Sequence, residues 1–154
     1  MQSMASFVSQ NVGAGNEKRA KKAMFTGIGV GLVIGCIAFL LIIFKGDILT
    51  GIFTTDAAVV QKGYDYLKGF ALETIVTAIL FSMIGYFNGH DKTIWVMAQG
   101  LIQTLLVRLP LAYYMSIQPD ASLTKIGFAA PAATIFGILL NVVYLIFLKY
   151  KKRI

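Results

Sequence analysis

A stretch of 22 residues without one charged side chain, Ala23 to Phe44, constrains this chain most. At about 1.5 Å per residue a helix over it is roughly 33 Å long, enough to cross a hydrocarbon core of about 30 Å. Lipid offers no partners to backbone amides and carbonyls, so such a segment must satisfy them itself, as an α-helix does. Three comparable runs follow: Gly69 to Gly89, apolar apart from Glu73; Thr93 to Ile117, apolar apart from Arg108; and Ile126 to Leu148, uncharged. Met1 to Asn11 is too short to cross and reads as the last turns of a helix or an amphipathic lead-in. The expected fold class is all-α, a polytopic membrane helix bundle with spans at 23–44, 69–89, 93–117 and 126–148.

Composition removes the main alternatives. At 57% hydrophobic and 14% charged residues the chain carries more apolar surface than a water-soluble core hides. A net charge of +7 would suggest nucleic acid on a polar domain, but here the basic residues gather at the ends of apolar runs, and no nucleic-acid partner is expected. Lys18, Arg19, Lys21, Lys22, Lys92, Lys149, Lys151, Lys152 and Arg153 share one side if the spans alternate, against Lys45, Lys62, Lys68 and Lys125 on the other. Nine against four places Asn11 to Lys22 and the C-terminus in the cytoplasm. The N-terminus lacks the basic and apolar regions of a cleaved signal peptide. The lone Cys36 excludes an internal disulfide and reads as a small packing residue.

Several residues read as packing or turn signals. Gly27, Gly31 and Gly35 recur every four residues, a groove for a neighbouring helix; Ala129, Ala133 and Gly137 repeat the spacing. The GIGVG stretch lacks the spacing and the strand of a nucleotide fingerprint. Pro110 and Pro131 fall inside spans and are expected to bend them. Between the first two spans, Ile48, Ile52 and Phe53 suggest an interfacial helix ahead of a Thr/Asp helix start.

Chemistry is expected where charge or amide enters the membrane. A charge near mid-span costs about 2.5 to 3.5 kcal/mol on insertion scales, so Glu73 and Arg108 need compensation. Counted along their helices they differ by roughly 6 Å in depth and are expected to be able to pair. Glu73 is read either as a cation, proton or organic-cation site, or as a fixed ion-pair partner, or as a side chain that simply reaches the outer headgroups, and Arg108 as a structural charge. Thr77, one turn after Glu73, shares its face, and Asn141 sits near the centre of the last span, where its amide needs a partner or a polar cavity. His90, beside Asp91 and Lys92, is expected to be solvated. No Ser/His/Asp set, paired carboxylate or HExxH sequence is present, so neither an enzyme nor a cofactor or metal site is expected.

The stretch SQNVGAGNEKRAKKA, Ser9 to Ala23, resembles the loop after the second helix of each six-helix lobe in the multidrug and toxic compound extrusion (MATE) transporters. Gln10, Asn11, Gly13, Ala14, Gly15 and Arg19 match that loop. GYFNGHDKT resembles the family's G-x-x-x-T turn, and VRLPLAYY its R-x-P-L helix. The resemblance covers essentially the whole chain and implies the end of helix eight through helix twelve of a twelve-helix, two-lobe transporter. It implies an antiporter of the plasma (inner) membrane that exports small organic compounds against sodium or protons by alternating access. Its partners would be the lipid bilayer and the N-terminal lobe. Some members carry a cation-binding acid in the helix matching 69–89; that position falls near Thr77, and the nearest acid is Glu73. Two further readings stand beside this one: a polysaccharide or lipid flippase of the same superfamily, and a small four-helix accessory membrane subunit.

Overall fold

The computed structural model describes residues 1–151; Lys152 and Arg153, counted above among the basic residues, lie outside the described residues. The described chain is all-α. Its helices are α1 (Gln2–Gly13), α2 (Glu17–Gly51), α3 (Ala57–Phe70), α4 (Glu73–Gly89), α5 (Thr93–Ile102), a π-helical turn (Gln103–Arg108), α6 (Leu109–Ser116), α7 (Leu123–Gly127) and α8 (Ala129–Tyr150). Three continuous stretches, Glu17–Gly51, Thr93–Ser116 and Leu123–Tyr150, are long and apolar enough to cross a membrane; α3 and α4 together make a fourth, bent by 50°. With its apolar side chains turned outward, this is an integral membrane bundle.

The turn between α1 and α2 explains the first landmark. Gly15 has φ of +70°, where a Cβ is strained, and Asn16 caps α2 by accepting from the Arg19 amide at 3.3 Å. Asn11 donates to the Phe7 carbonyl, and the Arg19 guanidinium lies 5.7 Å from the Phe7 ring centre. Gln10, Gly13 and Ala14 complete the end of α1 and the turn.

Glycines set the register. A Cβ on Gly31 would lie 2.9 Å from the Ala78 Cβ, and one on Gly35 would collide with the Thr74 carbonyl, so α2 and α4 run antiparallel with backbones in contact. Gly85 and Gly89 of α4 receive Met4 and Val8 of α1. Gly69 and Gly127 meet backbone to backbone where α3 crosses α7. Among the described residues an apolar core forms at the end of the bundle that carries the first basic cluster. It comprises Val8, Ala20, Met24, Met83, Tyr86, Phe87 and Leu148, with Trp95 stacked on Tyr144 at 4.0 Å.

Lys45 is non-helical, and the short helical segment after it, which ends at Gly51, carries Ile48, while Ile52 and Phe53 follow its end; Asp56 is the expected helix start, its carboxylate accepting from the Ala58 and Val59 amides. Three expectations change. The run 69–89 is not one straight span, since the bend before Glu73 puts that residue in the first turn of α4. Pro131 lies in the first turn of α8, where its missing amide costs no helical bond; Pro110 follows the π turn. Cys36 is exposed on the outer surface and is not a packing residue.

Candidate functional site

Four polar side chains from three elements meet in the apolar interior between α4, α5 with its π turn, and α8. Gln99 Nε2 donates to Gln103 Oε1 at 2.6 Å, Gln103 Nε2 donates to Thr134 Oγ1 at 3.4 Å, and Thr134 Oγ1 donates to Glu73 Oε1 at 2.8 Å. Every donor along this ladder points toward the carboxylate. Gln99 is fully buried and Thr134 is 1% exposed. The second carboxylate oxygen, Glu73 Oε2, and the Gln99 carbonyl oxygen are buried without a hydrogen-bond partner among the described residues. A buried carboxylate oxygen left without a donor at the end of the ladder suits a bound cation or proton.

Local structure assembles the ladder. Gln99 and Gln103 are four apart and stack on one face of the helix. They reach α8 because position 137 is glycine, where a Cβ would collide with Gln103 and lie 2.6 Å from Gln99 Nε2. The π turn begins at Gln103, a local widening that proteins often place at working sites. The bend after α3 turns Glu73 inward toward Thr134. Two turns beyond Thr134 along α8 lies Asn141, fully buried, whose Oδ1 accepts from the Trp95 indole at 2.9 Å and whose Nδ2 has no partner among the described residues.

The residues singled out from sequence fare unequally. Glu73 is the acceptor at the end of the ladder, and Asn141 lies two turns along α8 from Thr134, bonded to Trp95. Thr77 makes no side-chain hydrogen bond among those described and does not join the ladder. Glu73 and Arg108 form no ion pair among the described residues; Arg108 is exposed at the end of the π turn, and Thr134 takes the place expected of it. Counting residues along two helices estimates their depths but not their rotation. Gln99, Gln103 and Thr134 were not singled out, although two amides four apart in an uncharged run were a usable signal.

His90 is a further correction. It is 7% exposed instead of solvated, with Nε2 2.9 Å from Glu17 Oε2 and Nδ1 2.9 Å from the Tyr86 carbonyl. The Tyr86 hydroxyl donates to the other Glu17 oxygen at 2.6 Å.

A sequence model of the MatE family matches residues 1–114. Among curated proteins, the chain is similar to probable multidrug resistance proteins NorM. That of Bacillus anthracis is 29% identical over 113 residues, which are 73% of this chain and 25% of the relative. That of Listeria monocytogenes serovar 1/2a is 27% identical over 104 residues, 68% of this chain and 23% of the relative. The chain thus matches about a quarter of the length of these relatives. No solved structure matches.

Proposed function

The chain belongs to the MatE family, and from that premise we propose that it forms part of an efflux transporter exporting small organic compounds in exchange for sodium or protons. The bundle supplies part of one lobe, and the rest of the transporter supplies the surface against which it rocks to expose a cavity alternately to each side of the membrane. The excess of Lys and Arg at one end supports a cytoplasmic C-terminus, and the plasma membrane is the location that the efflux reading calls for.

The observation that carries this reading is the ladder Gln99–Gln103–Thr134 converging on Glu73 inside an otherwise apolar bundle. An acid there is costly in lipid and is retained where it works. Glu73 holds the coupling ion in this reading, Thr134 and the two glutamines orient its carboxylate, and Asn141 keeps α8 polar two turns beyond Thr134.

Glu73→Gln in the full-length transporter, reconstituted in proteoliposomes, tests it. Sodium- or proton-driven substrate flux should fall to background while the yield and unfolding temperature of the protein stay near wild type. Neutralising Arg108 as well should not restore the flux, because the two side chains are not paired among the described residues. Full coupled flux by Glu73→Gln at normal yield eliminates the ion-site role.

A further inference from the structure

The two landmarks of the sequence, the loop after α1 and the GYFNGHDKT turn, meet at the end of the bundle that carries the first basic cluster, in a group of side chains that the transport reading leaves unused. His90 follows the last residue of α4, and its side chain is 3% exposed. Its Nδ1 faces the Tyr86 carbonyl and its Nε2 faces Glu17 Oε2, each at 2.9 Å. A carbonyl oxygen can only accept, so Nδ1 carries a hydrogen. In a neutral ring Nε2 is then a bare acceptor, and it faces a carboxylate oxygen that is also an acceptor when ionised. Two lone pairs do not hold at that distance, so a proton must lie between them.

We propose that Glu17 and His90 form a proton-binding site at this end of the bundle, separate from Glu73, in which the bound proton latches the start of α2 to the end of α4. The site does not depend on the transport reading. Its surroundings are simple. From α2 come Glu17 and Lys21, whose Nζ is 3.4 Å from Glu17 Oε1. From α4 come the Tyr86 hydroxyl on that same oxygen and the Tyr86 ring, its centre 4.3 Å from that of the imidazole. Asp91 and Lys92 follow in the link. Helix α1, which reaches this end through Val8, has no charged side chain, and Tyr144 of α8 packs on Phe87 and Trp95.

Burial pushes the Glu17 carboxyl up, but the hydrogen bonds from Tyr86 and His90 and the charges of His90 and Lys21 outweigh it and hold the group below its ordinary value. The two contacts at 2.9 Å place the shared proton between Nε2 and Glu17 Oε2. When it leaves, one remaining N–H faces two acceptors, and either the Tyr86 carbonyl or Glu17 Oε2 loses its partner. Loss of the Oε2 contact leaves the Tyr86 hydroxyl on Oε1 as the remaining side-chain bond from α4 to Glu17 among the described residues, which loosens the first turn of α2 and the turn that joins α1.

The full-length protein, labelled with ¹⁵N-histidine and purified in detergent, tests the site. A His90→Gln variant identifies the His90 signals by difference. Both ring nitrogens should be protonated in the latched state, and one proton should be lost over the same pH interval in which the unfolding temperature falls. Glu17→Gln should abolish that fall, since a glutamine amide can donate to the bare Nε2, and Tyr86→Phe, which keeps the imidazole–carboxylate contact, should retain it. Proton loss with no change in unfolding temperature overturns the proposal, as does an undiminished fall in Glu17→Gln. If a variant does not fold, coincidence or separation of the two transitions in the unsubstituted protein decides.

Discussion

The α2–α4 interface and the α8 interface with α5 and the π turn are both made by glycines, yet they hold opposite contents. On α2, Gly31 and Gly35 admit a methyl group and a backbone carbonyl, and the contact is closed. On α8, Gly137 admits the ends of two glutamine side chains, and the contact becomes polar. In lipid, close packing and interhelical hydrogen bonds replace the hydrophobic effect as the adhesive. The first interface uses packing to make a rigid pair; the second spends the same space on a ladder that ends at an acid. A small residue in a membrane helix therefore reports that something comes close, and its partner decides whether the result is structural or functional.

The largest effect should come from closing the first interface. In Gly35→Ala the new methyl meets the Thr74 backbone, which cannot swing aside, and overpacking of this kind costs about 1 to 3 kcal/mol. The unfolding temperature in detergent should drop, and flux should fall only in proportion to folded protein. A wild-type melting curve would show that α2 and α4 do not touch as described.

Thr134→Val should cost less, about 1 kcal/mol for a buried hydrogen-bonded hydroxyl, but should reduce coupled flux beyond its effect on yield. Thr134→Ser, which keeps the hydroxyl, should recover most of the flux. Equal behaviour of the valine and serine variants would detach Thr134 from the function of Glu73.

Gly137→Ala presses on side-chain ends that can move, so its stability loss should be smaller than that of Gly35→Ala while its flux loss is larger. Ranking the two variants by both measurements tests the contrast directly.

The smallest effect concerns acid. Because the Glu17 carboxyl is held below its ordinary value of 4.5, its contribution to stability is complete above that pH and fades as pH falls through the lower folded value. Unfolding temperatures measured downward from pH 4.5 should therefore show a modest decline that Glu17→Gln lacks.

Much of the fold was legible in the residues. Uncharged runs of membrane length dictate helices, since no other open structure satisfies its own backbone in lipid, and four-residue glycine spacing marks a close helical approach whatever the partner. Ser9 to Ala23 identified the family region, and its Gly15 takes the positive φ that the turn requires. Glu73 and Asn141 stood out because polar groups inside apolar runs are costly.

Contacts between elements were decided only in three dimensions, because helix rotation and bending are set by the summed packing of neighbours and not by any one segment. The bend before Glu73 and the π turn at Gln103 bring Thr134 and the two glutamines onto the acid and leave Arg108 outside. The same packing carries His90 from an apparently solvated link into contact with Glu17, 73 residues earlier in the chain. Spacing within a helix follows from its 3.6-residue repeat, whereas a partner on another helix depends on two rotations and a register that local sequence does not encode.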